Sequence, residues 1–111
     1  MQGLAMGRMV HYRSRSGSYS MPAVIAATRS DLNRDNVEAG YIPDIDDDES
    51  VHLVVFTAGT PGQRNPATDA EIGKGAVAGS GTLQEWNVPY WAEEFPGQEQ
   101  PAGTWTWPPR A

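Results

Sequence analysis

Cysteine is absent from the 111 residues, which excludes disulfides, zinc ribbons, thiol nucleophiles and iron–sulfur clusters and leaves packing as the source of stability. No stretch approaches the apolar length needed to cross a bilayer, and the opening Met1-Gln2-Gly3-Leu4-Ala5-Met6 has neither the apolar core nor the cleavage site of a signal peptide. A soluble protein made in a cytoplasm, with no membrane partner, is expected. Positive charge is scarce: eight Lys and Arg stand against 14 Asp and Glu, for a net charge of −6. Such a chain repels phosphate backbones, so nucleic acid is not an expected partner. There is no nucleophile elbow G-x-S-x-G and no phosphate loop G-x-x-x-x-G-K-[S/T].

What is present fits one domain. A fold of this size hides roughly 65% of the surface its unfolded chain exposes, enough for one modest core with little stability in reserve. Charge is unevenly spread. Residues 1–30 hold Arg8, Arg13, Arg15 and Arg29 with no acid, whereas residues 31–50 hold eight acids and Arg34 alone. A polar contact between the head and the middle of the chain is expected.

Alternation sets the elements. Met9 to Arg13 places Val10 and Tyr12 on one face, as a half-buried strand does. Met21 to Thr28, with Ala23-Val24-Ile25-Ala26-Ala27 at its centre, reads as a second strand after a polar turn. Residues 31–50 read as an acidic loop with Val37, Tyr41, Ile42 and Ile45 as its possible anchors. Val51 to Thr57 is apolar on both faces except for His52, which predicts an interior strand. In residues 63–81, Thr68 and Glu71 have capping-box spacing and suggest a single helical turn before Gly73. Thr82 to Val88 gives a fourth strand with Trp86 and Val88 on one face, and Thr104 to Trp107 a fifth, stopped by Pro108-Pro109.

Five short strands with long polar connections predict an all-β domain, a small five-stranded barrel of the SH3-like or OB-like type. Its expected layout is an N-terminal arm over 1–8 and a single domain over 9–111, with extended loops at 29–50, 58–81 and 89–103. The expected core is Val10, Tyr12, Val24, Leu53, Val55, Trp86, Trp105 and Trp107.

Three motifs invite chemistry. Asp44, Asp46 and Asp48 have the i, i+2, i+4 spacing of a calcium loop, but the loop's glycine position is Glu49 and its bidentate-acid position is Val55, so no metal is expected. Gly73-Lys74-Gly75-Ala76-Val77-Ala78 matches the letters G-x-G-x-x-A without the strand before and helix after that a dinucleotide needs. No cofactor is expected. His11 and His52 lie on separate strands, which gives general acid–base chemistry no constellation to use, and a non-enzymatic role is expected.

The tryptophans are concentrated: Trp86, Trp91, Trp105 and Trp107 all fall in the last quarter of the chain. Trp105 and Trp107 share a strand face and point to core. Tyr90 and Trp91 follow Pro89 just outside a strand, where core and interface are equally open readings; hot spots favour such residues. Tyr41, Arg13 and Arg15 complete the candidate interface.

Four segments, Gly7-Arg8-Met9-Val10-His11-Tyr12, Pro22 to Thr28, Val51 to Thr57 and Gly103-Thr104-Trp105-Thr106-Trp107-Pro108, resemble a group of small proteins encoded by tailed phages of actinobacteria. That group opens with G-R-φ-V-H-Y, where φ is apolar, and closes with G-T-W-x-W-P. Its members often carry a Cys-Arg pair where this chain has Ser20-Met21-Pro22. The resemblance implies a phage-encoded virion protein assembled in the host cytoplasm. The expected role is a capsid decoration or minor capsid protein that binds the major capsid protein on the shell exterior and associates with itself, with a trimer as the expected unit. A tail or head–tail connector component, or a free SH3-like peptide-binding module, is the alternative.

Overall fold

The computed structural model describes residues 1–17, 20–56, 64–65, 70–71 and 82–109. Its body is one five-stranded antiparallel sheet in the order β6-β3-β2-β1-β7, built from β1 (Met9–Arg13), β2 (Ser20–Thr28), β3 (Val51–Phe56), β6 (Thr82–Val88) and β7 (Trp105–Thr106). A separate pair joins β4 (Arg64–Asn65) to β5 (Ala70–Glu71), and β5 takes the last two residues of the helical turn expected at Thr68–Glu71; the remainder of that turn, and Gly73 to Ala78, lie outside the described residues.

Strand β3 has partners on both sides, as its two-faced apolarity requires. The ladder itself is open, with β6 and β7 at its two ends. The chain leaving β6 nevertheless crosses to β7: Trp105 N–H donates to Pro89 O at 3.0 Å, and Trp91 N–H donates to Trp105 O at 2.9 Å. One edge strand's continuation thus lies against the other edge.

The inner face carries Val10, Tyr12, Met21, Ala23, Ile25, Val51, Leu53, Val55, Val88 and Trp105, with Leu4, Leu83, Tyr90 and Trp107 packed around them. Residues 7 and 8 extend the β2 ladder, because Gly7 N–H donates to Ile25 O at 2.8 Å and Ile25 N–H to Arg8 O at 2.9 Å. Together with Leu4 this ties much of the expected N-terminal arm to the sheet.

Two core expectations are corrected. Val24 is only half-buried; Met21, Ala23 and Ile25 set the inward phase of β2, and Val24 faces outward in a row with Met9 and Val54. Trp86 is 48% exposed, and Glu85 takes the inward position instead. The cause in β6 is a bulge. Val51 pairs with Val88 but Leu53 pairs with Glu85, so Trp86 and Asn87 together oppose His52. Asn87 sits at φ 50°, a left-handed conformation that Asn tolerates better than most residues, and the extra residue returns Val88 to the core.

β2 does the same from the other side. Ile25 pairs with Leu53 and Ala27 with His52, leaving Ala26 as the extra residue. His52 therefore lies between two bulges. Each bends its strand and sharpens the local twist, which curls the sheet around its core.

The segment read as a loop over 31–50 contains structure. A 3-10 turn spans Arg29–Asp31, with Asp31 accepting both Thr28 N–H and Thr28 Oγ1–H at 2.8 Å. Helix α1 (Arg34–Glu38) starts on Asn33, whose Oδ1 accepts from Asp35 N–H and Asn36 N–H. It ends on Gly40 at φ 81°, where Gly40 N–H reaches Val37 O and Tyr41 N–H reaches Asn36 O, the paired bonds of a Schellman motif. Ile45 is the anchor that buries fully, whereas Tyr41 stays 79% exposed.

Candidate functional site

His52 organises the outer face. Its ring is buried although it points away from the main core, because the 31–50 segment folds over it. Asn87 N–H donates to Nδ1 at 2.9 Å, so the ring hydrogen is assigned to Nε2, which lies 2.7 Å from Pro43 O and donates to it. Both ring nitrogens are engaged. It ties the acidic loop to the β6 bulge.

Around it lies an open groove of about 440 Å³, walled by Met6, Ala26, Leu32, Ile42, His52 and Trp86. Trp86 meets the His52 ring edge-to-face at 4.8 Å, so its indole is braced from beneath while half its surface faces water. Asp31, Asn33, Asn36 and Gln84 form the polar side of the groove. The groove thus joins apolar walls to a polar side of one carboxylate and three amides.

The acids of the loop are turned to separate partners. Asp44 pairs with Arg34 at 2.9 Å, Asp46 accepts from Asn87 Nδ2 at 2.8 Å, and Asp48 lies 3.4 Å from Arg29. The calcium-like trio does not converge. Asp47 accepts from Glu49 N–H and Ser50 N–H, bonds that hold its carboxyl below the usual range; for Asp44 the Arg34 guanidinium does so first and the Ile45 N–H second. The Arg29–Asp48 pair is a contact between head and middle of the kind the charge distribution predicts.

Asn87 links loop and strand twice, through Asp46 Oδ2 and through Asp46 N–H donating to Asn87 Oδ1 at 3.0 Å. Asn87→Ala should cost about 1–2 kcal/mol, combining those lost bonds with alanine's poorer tolerance of left-handed backbone. Asn87→Gly should cost less, since glycine accepts the backbone freely. Urea melts of the two variants check this, and an alanine variant more stable than the glycine one would show that the bulge carries no such strain.

The expected interface residues go to different places. Tyr90 packs its ring on Trp105 at 4.7 Å, and Trp105 meets Trp107 edge-to-face at 5.1 Å, so these three rings form one stack. Trp91 is half-buried beside it. Arg13 is also half-buried, and its Nε has no hydrogen-bond partner among the described residues. Arg15 reaches the buried carboxylate of Glu85 with Nη2 at 2.6 Å and Nε at 2.9 Å, and Tyr12 Oη–H donates to the same group. Burial first, and Glu85 second, push the Tyr12 phenol well above its ordinary value. Alternation alone could not find Glu85, because it admits only apolar residues to the core.

No protein-family model matches the chain, and neither a curated protein nor a solved structure matches it.

Proposed function

We propose that this chain is a phage virion protein, a capsid decoration protein that binds the major capsid protein on the shell exterior. In this reading the curled sheet works as a small barrel of the SH3-like or OB-like type, completed where residues 89–91 lie along β7. The observation that carries the binding role is Trp86. It is 48% exposed yet braced by His52 at the mouth of an apolar groove, the placement of an anchor rather than of a packing residue.

The resemblance supplies the setting. Val10, Tyr12, Trp105 and Trp107, four residues of its two terminal motifs, lie in or against the core. Those motifs therefore speak for a shared fold, and the groove supports a role in holding a partner. A shell repeats its subunits many times, so a modest contact gains strength from association of the decorating units, for which we propose a trimer. A tail or head–tail connector component would use the same groove in few copies, and a free peptide-binding module would use it outside the particle.

Copy number in washed virions separates these placements. Empty shells should bind the purified protein and gain thermal stability from it. Trp86→Ala should weaken that binding about tenfold or more, the ordinary loss for a truncated aromatic anchor, while leaving the protein's own melting temperature nearly unchanged. Shells that neither bind the wild type nor melt higher in its presence would overturn the capsid placement.

A further inference from the structure

The loop between Trp91 and Gly103 carries a second feature, built on a turn. Phe95-Pro96-Gly97-Gln98 is a type II turn: Gln98 N–H donates to Phe95 O at 3.3 Å, proline holds the second position, and Gly97 takes φ 85° at the third. Two side chains lock it. Gln98 Oε1 accepts from Glu94 N–H at 2.7 Å and Phe95 N–H at 3.2 Å, and Glu93 Oε1 accepts from Gly97 N–H at 2.8 Å. The backbone donors of the turn are thus met within the loop itself.

Both ends of the loop are fastened as well. Trp91 N–H is bonded to Trp105 O, Gln100 Nε2–H donates to Thr104 O at 2.8 Å, and Gly103 N–H donates to Arg13 O at 2.9 Å. On this fixed base Phe95 stands 66% exposed. A lone exposed aromatic on a loose loop is commonplace and carries little meaning. Here the conformation is set beforehand, so burying the ring in a partner requires little further ordering of the chain.

Charge gives the partner's chemistry. Glu93, Glu94 and Glu99 lie within four residues of Phe95 along the chain, and no Lys, Arg or His occurs between Thr82 and Pro109. We propose that Phe95 is an insertion knob that seats in an apolar pocket rimmed by Lys or Arg on the partner protein, forming a contact apart from the Trp86 groove. The inference rests on the reading that this chain holds another virion protein. It does not require that protein to be the capsid subunit.

The test uses purified empty shells, connectors and tails of the encoding phage as separate probes, with the full chain in each case. The subassembly that captures the wild type should bind Phe95→Ala about tenfold or more weakly, Phe95→Leu less weakly, and the reversal Glu94→Lys with Glu99→Lys, which leaves the Glu93 bond to the turn in place, more weakly at low salt than at high salt. Melting temperatures of the two Phe95 variants should match the wild type, which separates lost binding from lost folding. Capture by tails or connectors with loss in Phe95→Ala would retain the knob and remove the capsid placement. Equal binding by wild type and Phe95→Ala, or capture by none of the three, would overturn the knob.

Discussion

Trp105→Ala is expected to remove about 3–5 kcal/mol of stability, a large share of the roughly 5–15 kcal/mol that a domain of this size holds. The side chain is fully buried at the join between β7 and the segment that follows β6. Tyr90 lies against one side of it and Trp107 meets it edge-on. Truncation would leave a cavity that these rings cannot fill without leaving their own positions. The indole N–H also donates to Glu49 O at 2.9 Å, so the acidic loop would lose its tether to β7 and the carbonyl its partner.

Trp105→Phe separates the two contributions. It keeps much of the ring volume and loses the indole hydrogen bond, and it should cost less than the alanine variant by about 1–2 kcal/mol or more. Urea unfolding followed by circular dichroism measures both, and the phenylalanine variant supplies the comparison if the alanine variant does not fold. A loss below about 1 kcal/mol for Trp105→Ala would mean that the aromatic stack is not what closes this end of the sheet.

The strands were legible because their alternation is local. Met9–Arg13 and Thr82–Val88 stand where the pattern put them, and Val51–Phe56 is interior because it is apolar on both faces. Which side chains point inward was less legible, since one extra residue inverts the phase. That is why Trp86 and Val88 cannot share a face, and why Glu85, not Trp86, is buried. Asn87 is the local signal for the bulge, as a residue that accepts φ 50° inside a strand.

Helix α1 escaped the pattern because five residues are too few to show a helical period; only the Asn33 cap and Gly40 mark its ends. The groove was beyond reach for a different reason. Its members come from five parts of the chain, Met6, Ala26–Ala27, the 31–42 stretch, His52 and Gln84 with Trp86, and the pairing of β2, β3 and β6 brings the strand members side by side.

The network at Glu85 should respond to substitution in a way that no surface ion pair would. Its carboxylate side chain is 4% exposed, whereas that of Arg15 is 65% exposed, so a charge inside the sheet is met by a guanidinium that reaches in from solvent. Glu85→Ala leaves the buried Tyr12 hydroxyl without its acceptor and opens a cavity, and should cost about 2–4 kcal/mol. Arg15→Ala should cost about 1–2 kcal/mol, less than a fully buried pair would lose, because water can follow the vacated side chain. Replacing the whole network by Tyr12→Phe, Arg15→Met and Glu85→Met should recover most of the loss, since an apolar set of similar volume has no charge to satisfy.

Alkaline pH tests the same network without substitution. The folded state holds the Tyr12 phenol above its unfolded value of about 10, so this contribution is complete below that pH and is lost as pH rises beyond it towards the folded value. The wild type should therefore lose stability above about pH 10 more steeply than Tyr12→Phe does, in urea melts run across that range. Parallel slopes for the two proteins would mean that the phenol ionises as readily in the fold as outside it. A triple variant no more stable than Glu85→Ala would show that the buried carboxylate does more for this fold than apolar packing can replace.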